Sequence, residues 1–247
     1  MTGQHKIKKI SAADQVYEQL RQLIMEETWK VGEKIPTEAQ LANEFAGNRL
    51  TVRVALQRLQ AIGLLDIRVG SGTYVKEFDM SSNITELSMF YTNNTDVQDV
   101  REYRYIIETE CVRLAVDRRT DADLNAYWEQ YKSMEEHTTH YYQASGPDAA
   151  DKEIILQTDM SVDIHGILCA MAHNELLNYA FAIAKAPIRQ LMLRNVVQRM
   201  REPEMAFKCL HHYEDLYNHI RDRDREKSLA AIKLIMNIND SDFAPPA

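Results

Sequence analysis

The amino-acid sequence predicts a mainly α-helical protein with a small N-terminal domain and a larger, all-helical C-terminal domain. Two short β-prone runs surround a glycine-rich turn at residues 64–76, and a polar, weakly patterned stretch follows at 77–95. Apolar residues then recur at helical spacing as far as residue 239. The 247 residues are enough for two domains that each bury a core.

Charge is distributed unevenly along the chain. In total 29 Lys and Arg stand against 37 Asp and Glu, which gives a net charge of -8. Residues 1–76 hold 11 basic and 8 acidic side chains, whereas the remainder holds 18 and 29. A basic module on an acidic body is compatible with attraction of that module to DNA. The excess is small, so charge alone assigns no function.

Several classes of protein are disfavoured by what the sequence lacks. No apolar run reaches the ~18 residues that a membrane span needs, so we expect a cytoplasmic protein without a membrane partner. Cys111, Cys169 and Cys209 lie far apart, which favours reduced thiols over disulfides or a zinc ribbon. No HExxH, GxSxG or phosphate-binding loop occurs, so we do not expect an enzyme.

Three helices are predicted in the N-terminal domain. Apolar side chains at three-to-four spacing predict the first over residues 13–27. Thr37 and Gln40 have the spacing of a capping box and predict the start of the second. Asn48 is a good N-cap for the third, in which Val52, Leu56 and Leu59 face inward.

A β-hairpin is predicted after the third helix, with strands near 64–68 and 73–76. Two helices joined by a short turn and followed by a hairpin form a winged helix-turn-helix. In such domains the second helix of the pair enters the major groove of DNA, while the hairpin, or wing, approaches the backbone or the minor groove. The N-terminal domain is therefore expected to bind DNA.

The candidate DNA contacts lie on the outer turns of the third helix, at the start of the second and at the wing tip. Guanidinium groups bind guanine edges or phosphates, and short polar side chains beside them add hydrogen bonds. Exposed arginines are usually only a solvated surface, but this position on the helix pair favours DNA reading. The candidates are Thr37, Asn48, Arg49, Thr51, Arg53, Ser71 and Gly72.

Six helical segments are predicted after residue 95, and a short helix is expected near 84–91. Pro187 should kink or split the fourth of the six. The predicted division is a DNA-binding domain at 1–76, a linker at 77–95, a helical domain at 96–241 and a frayed tail at 242–247. The segments are 96–118, 121–143, 151–172, 175–200, 204–223 and 225–239.

The N-terminal motifs resemble those of the GntR family of winged-helix regulators. The matching stretches are IPTEAQLA at 35–42, NRLTVRVAL at 48–56, GLL at 63–65 and GSGTYV at 70–75. The family usually has arginine where Ala39 stands, glycine at Ala46 and a small polar residue at Leu50. Because of these departures, the operator sequence cannot be carried over from relatives.

The C-terminal segments resemble the FCD effector domain of the FadR-like branch of that family. The match rests on REYRYIIE at 101–108, RLA at 113–115, and His165 followed by Asn174 and Leu177. The resemblance implies a homodimeric transcription regulator, most often a repressor, that binds a palindromic operator and is controlled by a small metabolite.

The resemblance also implies an effector site inside the helical domain. Arg104 would bind an anionic, carboxylate-bearing effector. A structural role is the alternative for each candidate: Arg104 would pair with Glu108, His165 would be a satisfied core histidine, and Tyr213 would fill volume. The candidate effector residues are Arg104, His165, Asn174, Arg194 and Tyr213.

Much of the FCD family holds a divalent metal ion with an aspartate four residues before the first histidine and with two later histidines. Ser161 takes the place of that aspartate, and aligned Tyr213 and Ile235 take the places of the later ligands. We therefore predict no metal cofactor. The alternative is a shifted set formed by His165, His212 and His219.

Two functions other than DNA-binding regulation are disfavoured by the sequence. An enzyme is disfavoured because no catalytic constellation is present. A winged helix that binds only protein would not need arginines on the outer turns of its third helix, so Arg49 and Arg53 count against it. The sequence does not name the effector, the operator or the regulated genes.

Overall fold

The computed structural model describes residues 11–79, 96–143, 147–238 and 242, without the side chains of 147–150. These residues belong to two compact units, one within 1–83 and one within 84–247. The helix expected near 84–91 and residues 243–247 of the predicted tail lie outside the described residues. The predicted domain boundaries therefore stay predictions.

The N-terminal unit contains three helices and a two-stranded antiparallel sheet. Each helix begins at a capping residue: Thr37 for the second and Asn48 for the third, as the sequence predicts, and Ser11 for the first, which was not predicted. Such caps satisfy amides that have no partner within the helix. The elements are α1 (Ala12–Met25), α2 (Glu38–Glu44), α3 (Arg49–Ala61), β1 (Leu65–Arg68) and β2 (Gly72–Val75).

Helix α3 is held from one side by α1 and α2 and carries its charged residues on the other. Leu20 of α1, Leu41 of α2 and Val52 of α3 are fully buried in one apolar cluster. Burial of such side chains contributes about 1.5–3 kcal/mol each. The core therefore fixes the direction in which the outer face of α3 points.

The wing is attached to the rest of the unit by a third segment of extended chain. Leu65 pairs with Val75 in the β1–β2 register. The Gly32 amide donates to the Val75 carbonyl at 2.8 Å, and the Ile35 amide donates to the Thr73 carbonyl at 2.9 Å. The hairpin is thus anchored along one edge, and only its tip near Ser71 projects freely.

Ala46 lies in the turn between α2 and α3 and has a positive φ of 48°. L-residues with a Cβ are strained in this region, whereas glycine is not. The positive φ therefore explains why the GntR family usually has glycine at this position, where this chain has alanine.

The C-terminal unit is a bundle of helices, and no strand is found among its described residues. One apolar cluster lies among five of the helices and a second lies between α4, α6 and α7. None of the described helices has the length and apolar character to cross a membrane. The helices are α4 (Val97–Arg118), α5 (Asp121–Gln143), α6 (Pro147–Ala170), α7 (Glu175–Arg199), α8 (Pro203–Arg221) and α9 (Arg225–Met236).

Helix α7 runs through Pro187 without a break, so the expectation that proline splits this segment is wrong. An internal proline removes one helical hydrogen bond and costs about 3 kcal/mol. Residues on both sides of it, among them Phe181, Ile188 and Met192, are buried in the cluster with α4 and α6. Burial of several such side chains exceeds the penalty, and the helix continues.

Asp242 stands at the start of the predicted frayed tail. Its carboxylate forms an ion pair with Arg101 of α4 at 3.2 Å. The same guanidinium donates to the Asn237 carbonyl at 3.1 Å. The chain is therefore tied to α4 at this residue.

Candidate functional site

The outer face of α3 presents Arg49 and Arg53 to solvent, one helical turn apart. Leu50, which is 68% exposed, and Val54, which is 37% exposed, lie beside them. The opposite face carries Val52, Leu56 and other core residues. The N-terminal turns of α3 therefore combine cationic and apolar side chains on a surface that the core holds in place.

Arg53 is tied to α2 through Glu38. Its Nε donates to Glu38 Oε1 at 2.8 Å, and its Nη2 donates to Oε2 at 2.7 Å. The hydrogen bond from Arg53 lowers the pKa of the Glu38 carboxyl, and the nearby charge of Arg49 acts in the same direction. The bidentate pair fixes the guanidinium of Arg53 at the surface, whereas that of Arg49 has no ion-pair partner among the described residues.

Thr37 and Asn48 use their side chains as helix caps. Thr37 Oγ1 donates to Gln40 Oε1 at 2.8 Å, and Gln40 Oε1 also accepts from the Thr37 amide at 2.9 Å. Asn48 Oδ1 accepts from the Thr51 amide at 2.7 Å. These residues therefore shape the N-termini of α2 and α3, and their contacts with DNA stay predictions.

The wing tip is formed by Ser71 and Gly72. The Ser71 hydroxyl lies 2.9 Å from the Tyr74 hydroxyl, and the Arg68 guanidinium lies 4.5 Å above the Tyr74 ring. Gly72 has φ of 130°, and a Cβ at this position would overlap the side chain of Lys34. The wing therefore requires glycine at residue 72 for its backbone conformation, whereas the end of the flexible Lys34 side chain can move aside.

A buried polar cluster lies inside the C-terminal unit and begins with an ion pair on α4. Arg104 Nε donates to Glu108 Oε1 at 2.6 Å, and the two side chains are 3% and 2% exposed. Burial alone would raise the pKa of Glu108, but the charge of Arg104 and the hydrogen bonds that Glu108 accepts from His165 and Arg104 outweigh it and lower that pKa to about 2. The structural alternative for Arg104, a pair with Glu108 on its own helix, is therefore formed.

His165 of α6 connects this pair to α8. Its Nδ1 lies 2.5 Å from Glu108 Oε2, and its Nε2 lies 3.1 Å from the Tyr213 hydroxyl. Burial lowers the pKa of His165, so the imidazole is neutral near pH 7. Burial also raises the pKa of Tyr213, which keeps its phenol protonated. The consistent arrangement has Nδ1–H donating to Glu108 and Tyr213 donating to Nε2.

The cluster forms one wall of a cavity of about 370 Å³. Arg199, at the end of α7, enters the cavity and donates from Nη1 to the sulfur of Cys209 at 2.5 Å. No aspartate or glutamate lines the cavity among the described residues. The lining residues are Arg104, Ser161, His165, Met192, Asn195, Gln198, Arg199, Met205, Lys208, Cys209, His212, Tyr213, Leu234, Ile235 and Asn237.

Three of the five predicted effector residues are brought together and two are not. Arg104, His165 and Tyr213 line the cavity. Asn174 instead caps α7, accepting from the amides of Leu176 at 3.1 Å and Leu177 at 3.3 Å. The side chain of Arg194 is exposed and is not part of the lining. Asn174 and Arg194 therefore do not line this cavity, and a role for them in effector binding stays a prediction.

The arginine of α7 that reaches the cavity is Arg199, which the sequence analysis missed. Arg199 comes five positions after Arg194. Five positions along an α-helix turn the side chain by about 140°, so the two arginines point to different sides of α7. Lys208 and Cys209 were missed for a similar reason, since each side of α8 carries polar residues. Only the packing of α8 shows which side faces the cavity.

The donor set of the cavity does not fit a metal ion. Ser161, Tyr213 and Ile235, which the alignment places at the family's ligand positions, do line the cavity. With His165 they offer one imidazole, two hydroxyls and an aliphatic side chain, which is a poor set for a transition metal.

The shifted histidine set is not assembled either. His212 lines the cavity and His219 does not. The two lie seven residues apart on α8, which separates them by about 10 Å along the helix axis. Within the described residues, no group of three or more His, Cys, Asp or Glu side chains is arranged to hold a metal ion.

Two family models match the chain. The model for bacterial regulatory proteins of the gntR family matches residues 12–75, and the FCD domain model matches residues 99–237. The two matches cover the winged helix and the helical bundle. The chain belongs to the GntR family of bacterial regulatory proteins and carries an FCD domain.

Relatives and solved structures agree with this family. The HTH-type transcriptional regulator LutR of Bacillus subtilis (strain 168) is 32% identical over 61% of this chain and 63% of its own length, which is less than two thirds. The Glc operon transcriptional activator of Escherichia coli (strain K12) is 21% identical over 84% of this chain and 79% of its own. The structure of Streptococcus agalactiae GntR covers 91% of this chain and 97% of its own at 20% identity, with a TM-score of 0.61, and supports the fold. These relatives are regulators and not enzymes.

Proposed function

We propose that this protein is a DNA-binding transcription repressor that a small anionic metabolite releases from its operator. The outer face of α3 is the observation that supports DNA binding: Arg49 and Arg53 are exposed on one face of the second helix of a helix-turn-helix. In such domains this face enters the major groove, where guanidinium groups bind guanine. The candidates at the caps and wing, Thr37, Asn48, Thr51, Ser71 and Gly72, would position that helix on the backbone.

The cavity of the helical domain supports control by an effector. It is lined by apolar, amide and cationic side chains of five helices, and it lacks carboxylates among the described residues. A cavity with a few convergent polar groups is the usual form of a small-molecule site. An effector that binds better to one arrangement of the DNA-binding domains than to another would change the affinity for the operator.

Assembly as a homodimer is also part of the proposal. A palindromic operator has two half-sites, and two copies of the winged helix would read them. Ile106 of α4 and Ile183 of α7, on helices that pack against each other, are 56% and 42% exposed. Exposed aliphatic residues on adjacent helices suit a subunit interface. Sedimentation equilibrium of the full chain tests the dimer.

The DNA-binding assignment is tested with the full chain and random duplexes. Selection from a random pool yields the preferred site, and gel-shift titration then measures the affinity of the parent and of Arg49→Ala. A base-contacting arginine contributes ~1–3 kcal/mol, so the affinity for the selected site should fall by about 5- to 150-fold.

Arg58→Ala is the matched control, because it removes the same charge from the C-terminal end of the same helix, away from the candidate DNA contacts. Arg58 pairs with Asp14 and lies over the Tyr17 ring. We expect Arg58→Ala to bind the selected site almost as well as the parent. Equal losses in the two variants would show only general charge attraction and would contradict base reading by α3.

The sign of regulation is tested in cells. A reporter gene placed behind the selected site should be expressed more strongly when this chain is deleted, and supplying the chain should restore the low level. Higher expression in the presence of the chain would make it an activator and would contradict this part of the proposal.

A further inference from the structure

The cavity of the helical domain carries more positive charge than the carboxylates around it balance. Arg104 is paired with Glu108. Arg199 and Lys208 also line the cavity, and neither forms an ion pair with a carboxylate of the described residues. The hydrogen-bond partners of Arg199 are the sulfur of Cys209 and the hydroxyl of Tyr213, both of which are neutral when protonated. Two cationic side chains of the lining are thus left without an acidic partner.

The excess positive charge of the cavity points to a ligand because most of the Arg199 side chain is removed from solvent. A guanidinium that leaves water without a counter-ion loses several kcal/mol of solvation. Exposed lysines are common on protein surfaces, but a mostly buried arginine without a carboxylate is not. The arrangement is explained if a ligand of the cavity supplies the negative charge.

Arg104 can donate a hydrogen bond to such a ligand although it already forms an ion pair with Glu108. Its Nε and Nη2 bind Glu108, and Nη1 has no acceptor among the described residues. Glu108 fixes the guanidinium plane, so little side-chain entropy is lost when a ligand binds. The side-chain amides that line the same cavity provide further donors and acceptors, namely Asn195, Gln198 and Asn237.

We propose that this cavity binds a small dianion, a dicarboxylate or a phosphate ester, without a metal ion. Arg199 and Lys208 supply the two compensating charges, and Nη1 of Arg104 supplies a further charge-assisted hydrogen bond. The inference rests on the proposed role of the cavity as the effector site. It goes beyond that role because it assigns the charge of the ligand and a binding residue, Arg199, on α7.

The absence of a metal-binding donor set agrees with this assignment. Ser161, Tyr213 and Ile235 stand where the family resemblance implies metal ligands. A divalent cation would compensate two negative charges of a ligand, and here two side-chain cations line the cavity instead. A volume of about 370 Å³ lies at the small end of ligand pockets, which favours a compact ligand over a long acyl chain.

The experiment measures binding of defined anions to the full chain by isothermal titration calorimetry at pH 7.5, after dialysis against EDTA. Succinate tests a dicarboxylate, glycerol 3-phosphate tests a phosphate ester, and butyrate is a monoanion with the same carbon skeleton length as succinate. We expect at least one of the dianions to bind about tenfold or more tightly than butyrate. That difference is the contribution of one charge-assisted contact of about 1.5–3 kcal/mol.

Arg199→Gln should lower the affinity for that dianion about tenfold or more and leave butyrate almost unaffected. Arg201→Gln is the matched control, because Arg201 is exposed two residues further on and lies outside the lining. In the absence of ligand, Arg199→Gln should melt no lower than the parent, since it removes a mostly buried charge without a counter-ion. Lys208→Gln, at an exposed position, gives a second test if Arg199→Gln does not fold.

Four results would overturn the assignment. Butyrate could bind as tightly as both dianions, Arg199→Gln and Lys208→Gln could retain the parent's affinity, or binding could disappear on EDTA dialysis and return with zinc. In each case the proposed regulator would still stand, because operator binding is measured on the same preparation. No binding of any anion would overturn the dianion site in the same way.

Leu50 and Val54, in the N-terminal unit, carry a second, independent inference. They are 68% and 37% exposed and lie four residues apart on the face of α3 that bears Arg49 and Arg53. Residues four apart on a helix lie one above the other. The arginines on this face attract phosphates and guanine, so the occupant of the apolar strip beside them is itself part of a DNA duplex.

We infer that Leu50 contacts the C5-methyl group of a thymine in the major groove, next to the base that Arg49 reads. The thymine methyl is the one apolar group that base pairs expose in that groove. This inference also rests on the proposed DNA binding. It makes Leu50 a specificity residue where the GntR family usually has a small polar side chain.

Replacing thymine by deoxyuridine in the selected site removes only the methyl group. At the contacted position the parent should lose about 3- to 10-fold in affinity, because apolar base contacts discriminate by about 1 kcal/mol. Leu50→Thr should bind the two duplexes equally, whereas Ile62→Thr, at the far end of α3, should keep the parent's preference. Equal binding of both duplexes by the parent, at every thymine tested, would overturn the contact.

Discussion

The two units of this protein use arginine in opposite ways. On α3, Arg49 and Arg53 stand at the surface, and Arg53 forms an ion pair with Glu38 in which the two side chains are 55% and 33% exposed. In the helical domain, Arg104 and Glu108 are almost fully buried and are linked through His165 to Tyr213. The exposed arginines contribute little to stability and are free to bind a partner, whereas the buried one is part of the folded core.

The largest expected effect is on stability and comes from the buried pair. Glu108→Ala leaves the Arg104 guanidinium buried without its counter-ion, so we expect the free energy of unfolding to fall by about 3–5 kcal/mol. Urea denaturation of the full chain measures this change. The matched control is Glu110→Ala on the same helix, whose pair with Arg113 is 44% and 39% exposed and should contribute less than about 1 kcal/mol.

Lowering the pH should also distinguish the buried Arg104–Glu108 pair from an exposed ion pair. The pKa of Glu108 is lowered from 4.5 to about 2, so its contribution to stability is complete above pH 4.5 and is lost as the pH falls towards 2. The lowered pKa corresponds to about 3 kcal/mol at neutral pH. The difference in unfolding free energy between the parent and Glu108→Gln should therefore narrow between pH 4.5 and pH 3. A constant difference over this range would contradict an ionised Glu108 in the folded protein.

The exposed pair of Arg53 and Glu38 should behave differently, because removal of the Glu38 carboxylate should affect DNA binding more than folding. Glu38→Gln releases Arg53 and removes a negative charge from the face of α3. We expect tighter binding to unrelated DNA and a ratio of specific to unrelated affinity that falls about 3- to 10-fold, while the unfolding free energy changes by less than about 1 kcal/mol. An unchanged ratio in gel-shift titrations would show that Glu38 does not position Arg53.

The smallest expected effect lies in the turn before α3. Ala46→Gly relieves a positive φ of 48° that costs an L-residue about 1–2 kcal/mol, and the greater backbone freedom of glycine in the unfolded chain offsets part of the gain. We expect an increase in unfolding free energy of up to about 1 kcal/mol and unchanged DNA affinity. A clear loss of stability would show that the turn is not strained.

Local patterns in the sequence were sufficient to predict most of the fold. The capping box of Thr37 and Gln40 and the N-cap Asn48 set the starts of α2 and α3 as predicted. Glycines at 70 and 72 marked the hairpin turn. Pro187 was the exception, because the burial that keeps α7 continuous comes from α4 and α6, which are distant in sequence.

The cavity was predicted less completely than the winged helix. His165 and Tyr213 were found by resemblance, and Arg104 by its place in the first helix of the domain. Arg199 was missed and Arg194 was chosen instead, although both are arginines at the end of one helix. A helical pattern predicts which side chains share a face, but on a helix packed on several sides it does not predict which polar face meets a cavity.

The winged helix, the helical bundle and the family were predicted from the sequence, because caps, glycine turns and apolar spacing act between residues that are close along the chain. Contacts between distant segments were not predicted. Glu108 and His165 stand 57 residues apart, and Arg199 meets the cavity through the packing of α7 and α8. Whether a buried charge has a counter-ion depends on neighbours brought together in space, so only the folded protein shows that two cations of the cavity lack an acidic partner among the described residues.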